Sequence, residues 1–425
     1  MSQRILPMLA PGHHIELLEG GDAYFPALIQ AMDAALHEVR LETYIFNDDA
    51  SGQQVMQALI RAAQRGLRVY LTVDGLGTPH LPQPWLQALT QAGGQYLQFR
   101  PLGRLGLLLP GQWRRLHRKL ALIDNELAFC GGINVLDDWL EPGEPPLTAP
   151  RFDFAVAVRG PLVAQVATVM KQLWWRARAV QSARDVDFRG GWEALQNVAS
   201  ARGPRASASN AARSASKSSA PLKSRGAGQA SLTSMPVRAA LLLRDNVRHR
   251  TQIERAYRKA IGSARQDILI ANAYFLPGRR LRQALIRAAQ RGVRVRLLLL
   301  AQFSWPLQAN AVRWMYRPLM DAGVEIHEYA SSFLHAKVAV VDGQWATVGS
   351  SNLDPLSLLL AREANVVVQD PVFGAQLRER LLQALAQDGR VVDRAAVDVP
   401  PWSRWLDHLA FALLRLMVVI AGRRY

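Results

Sequence analysis

Segments of alternating apolar and polar residues repeat along this chain, separated by amphipathic segments whose apolar residues are three or four positions apart. The stretch "HEVRLETYIF" at 37–46 predicts a strand, and "QALIRAAQ" at 57–64 predicts a helix that ends at Gly66. "LRVYL" at 67–71 predicts the next strand. This order of strand, helix and strand indicates an α/β layer.

Almost the same pattern occurs a second time, which indicates a duplicated domain. The stretch "QALIRAAQRGLRVYL" at 57–71 differs from "QALIRAAQRGVRVRL" at 283–297 only where Leu67 and Tyr70 are replaced. Downstream, "RLHRKLALIDNELAFCGGIN" at 115–134 aligns without a gap with "FLHAKVAVVDGQWATVGSSN" at 333–352. Repeats of this length predict two similar units in one chain.

The composition fits two folded units joined by a different kind of segment. A chain of 425 residues with 49% hydrophobic and 20% charged residues can form two cores. The stretch 199–234 has almost no large apolar residues and no acidic ones, so we predict a flexible basic linker over 182–236. The predicted domains are 1–181 and 237–395, followed by a C-terminal segment at 396–425.

The net charge of +17 predicts an anionic partner, either nucleic acid or an acidic membrane surface. The single cysteine, Cys130, excludes a disulfide framework, and its apolar surroundings predict a core position. The N-terminus has no long apolar run, so we expect neither a secretory signal nor an N-terminal membrane span. His13 and His14 in this region are expected to be loop residues.

The second repeated block carries polar side chains at strand spacing. His117 and Lys119 project from one face of a predicted strand, and His335 and Lys337 do the same in the second copy. Each strand ends at an aspartate, and an asparagine follows in a small-residue turn: Asp124 and Asn134 in the first copy, Asp342 and Asn352 in the second. If the halves pack about a pseudo-twofold axis, these groups converge on one cavity.

Two imidazoles, two ammonium groups and two amides suit a phosphodiester. The lysines would hold the non-bridging oxygens and the asparagines would donate further hydrogen bonds. One histidine can attack phosphorus while the other protonates the leaving oxygen. Because the lysines already supply positive charge, we expect neither a metal nor a cofactor.

With these residues, the sequence resembles the phospholipase D superfamily, whose signature is HxK, four residues, Asp, six residues and G-[GS]-x-N. Both copies match it, and the matching residues are His117, Lys119, Asp124, Gly131, Gly132 and Asn134, and His335, Lys337, Asp342, Gly349, Ser350 and Asn352. The resemblance implies an α/β fold with two phospholipase D-like sandwich domains. It also implies that pseudo-twofold symmetry relates the domains and that the active site lies at their interface.

Within that superfamily the chain is most similar to bacterial cardiolipin synthases of the type without N-terminal membrane spans. The stretches that carry the resemblance are "LETYIFNDDASG", "RGLRVYLTVDGLGT", "HRKLALIDNELAFCGGINV" and "SSNLDPLSLLLAREANVVV". The resemblance implies that a carboxylate downstream of each motif steadies a catalytic imidazole, which assigns Asp153 and Glu363.

Other polar residues of the repeat receive lesser roles. Asp124 and Asp342 lie at turns beyond the strand and are expected to be structural. Further candidates for substrate binding are Gly132 and Ser350 in the motif turns, and Tyr44 and Tyr274 at the ends of the upstream strands.

Two segments could contact a membrane. "PLGRLGLLLPGQWRR" at 101–115 could dip into a bilayer or be a buried loop. The tail from Trp402 to Ala421 is shorter than a bilayer span, and an interfacial helix fits it better than a core helix of the second half.

The function expected from these features is phosphatidyl transfer to phosphatidylglycerol, which makes cardiolipin through a phosphatidyl-histidine intermediate, with His117 as the nucleophile. We expect a peripheral protein on the cytoplasmic side of a bacterial membrane that binds anionic phospholipid and no nucleic acid; its oligomeric state stays open. A phosphodiesterase or nuclease on the same site is the alternative, favoured by the basic charge. A scaffold without catalysis would need a broken motif, and both motifs are intact.

Overall fold

The computed structural model describes residues 6–101, 114–184, 197, 237–245, 249, 251–301, 315–354 and 361–394. The elements of the first half are β1 (Ala10–Glu19), α1 (Gly20–Ala34), β2 (Glu38–Thr43), α2 (Ala50–Gln64), β3 (Arg68–Asp74), α3 (Gln83–Gln91), β4 (Gln95–Phe99), β5 (Arg115–Leu116), β6 (Lys119–Ile123), β7 (Leu127–Gly131), β8 (Phe154–Arg159) and α4 (Leu162–Arg184). Those of the second half are β9 (Val237–Arg244), α5 (Gln252–Ser263), β10 (Asp267–Asn272), α6 (Arg279–Gln290), β11 (Arg294–Leu300), β12 (Glu325–Tyr329), β13 (Lys337–Val341), β14 (Trp345–Gly349), β15 (Ala361–Gln369), α7 (Pro371–Gln387) and β16 (Gly389–Val391).

The two repeated stretches form the helices and strands that their pattern predicts. α2 begins after Asp49, whose side chain accepts a hydrogen bond from the Gly52 N–H. The chain leaves this helix at Gly66, whose φ of 83° is left-handed. α6 ends in the same way at Gly292, with a φ of 86°. The predicted helix and strand of each repeat are therefore confirmed.

Both halves have the same strand order. From the centre of the molecule outward, the first half runs β1-β8-β7-β6-β2-β3-β4 and the second runs β9-β15-β14-β13-β10-β11-β12, with β16 beyond β12. The equivalent strands β1 and β9 pair antiparallel at the centre, as a twofold axis between the halves requires. The predicted duplication of an α/β fold about a pseudo-twofold axis is confirmed.

Helices cover both faces of this sheet. α1 and α2 pack on one face of the first half, and α5 and α6 pack on the equivalent face of the second half. On the opposite face, both halves share one core with α4 and α7, to which Val156, Met170, Val366 and Leu377 belong. Because this core is continuous, it fixes the halves relative to each other and so positions the groups at their junction.

His13 corrects one sequence-based expectation. Like His14, it lies within β1 and not in a loop. Its side chain is 1% exposed. Its Nε2 accepts a hydrogen bond from the Leu162 N–H, and its Nδ1 lies 3.2 Å from the Val237 carbonyl oxygen. The ring therefore ties β1 to the start of α4 and to β9.

Several predicted segments lie outside the described residues. These are the Leu/Trp loop at 102–113, most of the predicted linker, and the tail from residue 395 onward. α4 continues to Arg184, into the region predicted as linker. The proposed domain boundaries therefore stay predictions.

Within the described ranges, every helix falls short of the length and apolar content that crossing a bilayer requires.

Candidate active site

The two motif histidines lie where the halves meet. β5 pairs in parallel with the start of β15, and the His117 N–H donates to the Arg362 carbonyl oxygen over 3.1 Å. The symmetric contact is made by the His335 N–H, which donates to the Phe152 carbonyl oxygen over 3.0 Å. Each histidine backbone is thus held by the residue that precedes the carboxylate of the other half.

The histidine side chains follow the same crossed pattern. The distance from His117 Nδ1 to Glu363 Oε1 is 3.0 Å, and that from His335 Nδ1 to Asp153 Oδ2 is 2.6 Å. Each imidazole is therefore anchored by a carboxylate from the opposite half. The anchored Nδ1 leaves Nε2 of each ring as the atom that can react with a ligand.

The two carboxylates have different surroundings. The Ser350 hydroxyl donates to Glu363 Oε2 over 2.5 Å. At the equivalent position of the first motif, Gly132 lets Asp153 approach the backbone so closely that an added Cβ would lie 2.3 Å from Asp153 Oδ1. Asp153 Oδ1 accepts from the Phe154 N–H instead, over 2.8 Å. Gly132 and Ser350 thus contact the anchoring carboxylates.

The lysines of both motifs are buried in the same site. Lys119 is 3% exposed and Lys337 is fully buried. Lys119 Nζ donates to the His117 carbonyl oxygen over 2.8 Å, and Lys337 Nζ donates to the His335 carbonyl oxygen. Burial, followed by repulsion from Lys337, lowers the pKa of Lys119 to about 7. Burial likewise lowers the pKa of Lys337 to about 8. A bound anion would raise both pKa values by compensating the charge.

The asparagines and tyrosines surround these groups. Asn134 Oδ1 accepts from the Ile45 N–H over 3.1 Å, and Asn352 is 4% exposed. The Tyr44 ring lies 4.8 Å from the His117 ring, centroid to centroid. Burial raises the pKa of both Tyr44 and Tyr274 to about 12.

The motif aspartates do not join this group. Asp124 accepts hydrogen bonds from three consecutive N–H groups, those of Leu36, His37 and Glu38. Asp342 accepts from those of Arg265, Gln266 and Asp267. Each aspartate follows the strand that its lysine begins, β6 or β13, and fixes the entry to an upstream strand. His117 and His335 were expected within these strands but lie two residues before them. The structural role expected for both aspartates stays a prediction, and these hydrogen bonds are the contacts through which they would fulfil it.

Two further residues of the site were not predicted. Asp74 is fully buried at the end of β3 and accepts from the Leu116 N–H over 2.7 Å, which holds the strand that precedes His117. Arg151 is 5% exposed, binds Glu141 over 2.7 Å, and adds positive charge near His335. Asp74 lies three residues after the predicted strand at 67–71, and Arg151 precedes Asp153 by two positions. These positions in the sequence were the signals that could have identified the two residues.

The two histidine–carboxylate pairs differ in electrostatics. Burial alone would raise the pKa of Glu363, but His117, Lys119 and the Ser350 hydroxyl outweigh it and hold the pKa below its ordinary value. Burial raises the pKa of Asp153 to about 7, against the effect of Lys337. Burial also lowers the pKa of both imidazoles, and it lowers that of His335 well below its ordinary value. Glu363 is therefore an anion at neutral pH, whereas Asp153 competes with His335 for a proton.

Among the described residues, no group of three or more His, Cys, Asp or Glu side chains is arranged to hold a metal ion.

The fold and the site together define a class of enzymes that act on phosphate esters with paired histidine and lysine motifs at the junction of two α/β halves. The sequence model of the family described as "Cardiolipin synthase, PLD-like domain" matches residues 28–174 and 257–385. The chain belongs to this family.

Individual relatives agree with this assignment. The chain is 36% identical to cardiolipin synthase B of Escherichia coli strain K12 over 412 residues, which cover 97% of this chain and 90% of that protein. It is 29% identical to cardiolipin synthase 1 of Bacillus anthracis over 350 residues, which cover 82% and 62% of the two chains. The crystal structure of phosphatidylserine synthase from Haemophilus influenzae Rd KW20 superposes with a TM-score of 0.63 at 15% identity. That superposition covers 99% of this chain and 96% of that one and shows that the folds are alike.

Proposed function

We propose that the protein is a phospholipase D-type transphosphatidylase that makes cardiolipin by transferring a phosphatidyl group to phosphatidylglycerol. The observation that carries the proposal is the pair of histidines, each anchored through Nδ1 by a carboxylate from the opposite half, beside two buried lysines. The membership of the chain in the cardiolipin synthase family and its similarity to cardiolipin synthase B support the choice of substrate.

In the first half-reaction, His117 Nε2 attacks the phosphorus of a donor phospholipid. A P–N bond forms, the bond from phosphorus to the headgroup oxygen breaks, and that oxygen takes a proton from Nε2 of His335. Because Glu363 is ionised, it keeps the His117 proton on Nδ1 and leaves the Nε2 lone pair free to attack. The motif lysines offset the negative charge on the non-bridging oxygens.

The His335–Asp153 pair is suited to the opposite task. The two groups titrate together and hold one proton between them, whichever of them carries it. Giving this proton to the leaving alcohol leaves the pair ready to accept one. In the second half-reaction a phosphatidylglycerol hydroxyl gives its proton to His335, its oxygen attacks phosphorus, and the P–N bond breaks. Cardiolipin leaves and His117 is free again.

The charge of the protein favours a membrane as its partner. A net charge of +17 favours contact with an anionic membrane surface, where both lipid substrates lie. We infer peripheral association with the cytoplasmic side of a bacterial membrane, through the basic surface and the predicted interfacial tail.

Lipid product analysis tests the proposal. The purified full-length protein would be incubated with vesicles of phosphatidylglycerol, with and without phosphatidylethanolamine, and the products identified by mass spectrometry. We expect cardiolipin in both, together with released glycerol when phosphatidylglycerol is the only donor. Single-stranded DNA, offered in parallel, should not be cut.

The His335→Ala variant is the matched control, since it removes one reacting group from a buried site. Cleavage of DNA without formation of cardiolipin would contradict the proposal and support the nuclease alternative. Release of phosphatidic acid alone would show that the enzyme hydrolyses phospholipids and does not transfer the phosphatidyl group.

A further inference from the structure

Arg244, the last residue of β9, lies beside the carboxylate that anchors His117. It stands directly opposite Glu363 in the antiparallel pairing of β9 with β15. Residues opposite each other in such a pair project from the same face, with Cβ atoms about 5 Å apart. Arg244 is 2% exposed. A buried positive charge therefore lies next to a carboxylate of the active site.

Arg244 is buried although its guanidinium group makes no hydrogen bond within the part of the chain that the structure describes. None of its three nitrogens has a hydrogen-bond partner among the described residues. The acidic groups that influence it are Glu363 first, then Asp354 and Glu254, and burial lowers its pKa to about 10. Burying a cation without hydrogen bonds is strongly unfavourable. Arg244 thus acts on its surroundings through its charge.

The first half has no such charge at the equivalent place. Glu19 stands opposite Phe154 in the pairing of β1 with β8, and the next residue, Gly20, donates its N–H to the Asp153 carbonyl oxygen over 2.9 Å. Gly20 therefore occupies the position opposite Asp153 that Arg244 occupies opposite Glu363. The symmetry of the duplicated fold is broken at this position by a full positive charge.

We propose that Arg244 is a positioning residue whose buried charge keeps Glu363 ionised, and thereby keeps His117 in the form that attacks phosphorus. The proposal rests on the function proposed above, because it assumes that His117 is the nucleophile. Arg244 does not contact the substrate in this role; it acts through Glu363.

Arg244 adds to other groups that favour the ionised form of Glu363, and it differs from the lysines among them in keeping its charge near neutral pH. His117, Lys119 and Lys337 also face the carboxylate, as do the hydroxyls of Ser350 and Tyr44. The pKa values of Lys119 and Lys337 are lowered to about 7 and about 8, so their charge varies near neutral pH. They are also the groups that a bound phosphate would engage. The pKa of Arg244, about 10, keeps its charge constant over this range.

The pH dependence of the Arg244→Met variant tests the proposal in the full-length protein. Hydrolysis of bis(p-nitrophenyl) phosphate is used, because it needs the histidines but no lipid acceptor. Without the cation, Glu363 takes up a proton at higher pH, so the acid limb of kcat/KM moves upward. We expect the ratio of kcat/KM at about pH 8 to that at about pH 6 to rise roughly tenfold. Arg244→Lys should restore most of the wild-type profile.

Two controls separate this role from a structural one. Arg238→Met changes an exposed arginine on the same strand, which donates to the Leu9 carbonyl oxygen over 3.5 Å, and its profile should match the wild type. The melting temperature of Arg244→Met should not fall, since the change removes an unbonded buried charge.

An unchanged pH profile in Arg244→Met would overturn the proposal. Loss of the fold in both Arg244→Met and Arg244→Gln would also overturn it, because the residue would then be structural. Failure of the wild type to make cardiolipin is a separate result: it would remove the proposed lipid substrate, while the phosphodiester profile would still report on Arg244 and Glu363.

Discussion

The His117–Glu363 pair and the His335–Asp153 pair occupy equivalent places in the two halves, yet they are built differently. The side chain of Glu363 is one carbon longer than that of Asp153. It accepts a hydrogen bond from the Ser350 hydroxyl and lies opposite Arg244 in the strand pairing. Asp153 lies against Gly132 and has Gly20 where the second half has the arginine. The first pair favours an ionised carboxylate and the second retains a proton. Duplication thus supplied two equivalent imidazoles, and divergence of their neighbours gave them different chemical properties.

The largest effect is expected from removing either imidazole. His117→Ala and His335→Ala should each lower cardiolipin formation at least about ten-thousandfold, because each removes a group that the reaction needs in full. The two variants should differ in what they accumulate. With a p-nitrophenyl phosphodiester, whose leaving group needs no proton, His335→Ala should form a covalent adduct at His117, which intact-mass analysis detects.

His327→Ala is the control for this prediction, since His327 is a partly buried histidine in β12 away from the motifs. An adduct that accumulates in His117→Ala and not in His335→Ala would reverse the assigned roles. Near-normal turnover in either motif variant would contradict the use of two histidines.

A smaller effect should separate the two carboxylates. Glu363→Gln removes the anion that orients His117, and we expect kcat/KM for the p-nitrophenyl diester to fall about a thousandfold. Asp153→Asn should lower it much less with this substrate, since the proton that the His335–Asp153 pair holds is not needed for its leaving group. With a phospholipid donor, whose leaving alcohol needs that proton, the two variants should be impaired to a similar extent.

Equal losses for both variants with both substrates would contradict the division of roles. Circular dichroism of the two proteins provides the control that each has folded.

The sequence predicts the parts of this site that repeat and misses those that do not. His117, Lys119 and Asn134 and their counterparts were found from the repeated spacing of the motif, although only the lysines lie in strands, as the first residues of β6 and β13. The crossing of the pairs could not be derived in this way. Glu363 is 246 positions from His117, and its partner is set by the pairing of β5 with β15 across the two halves.

Residues that break the symmetry carry the weakest signal. Arg244 and Gly20 lie outside both motifs, and their equivalence depends on the strand register. His13 was expected in a loop, whereas it lies in β1 and its burial depends on the pairing of β1 with both β8 and β9. Short local patterns define elements, and contacts between distant elements define the surroundings of a side chain.

The smallest effect expected is on stability, and it should have opposite signs in the two pairs. Burial raises the folded-state pKa of Asp153 from 3.8 to about 7. As pH rises through that interval, the carboxylate must be buried as an anion, so the folded protein loses stability. Asp153→Asn removes this penalty. Its melting temperature should equal that of the wild type near the lower limit and exceed it by a few degrees above the upper limit.

The folded-state pKa of Glu363 is lowered, so this residue stabilises the fold above its ordinary pKa of 4.5, and the benefit is lost as pH falls through the folded value. Glu363→Gln should therefore melt below the wild type at neutral and basic pH. Differential scanning calorimetry across this pH range measures both variants. Shifts of the same sign at basic pH would show that the buried anion affects stability in the same direction in both halves, and the comparison between the pairs would fail.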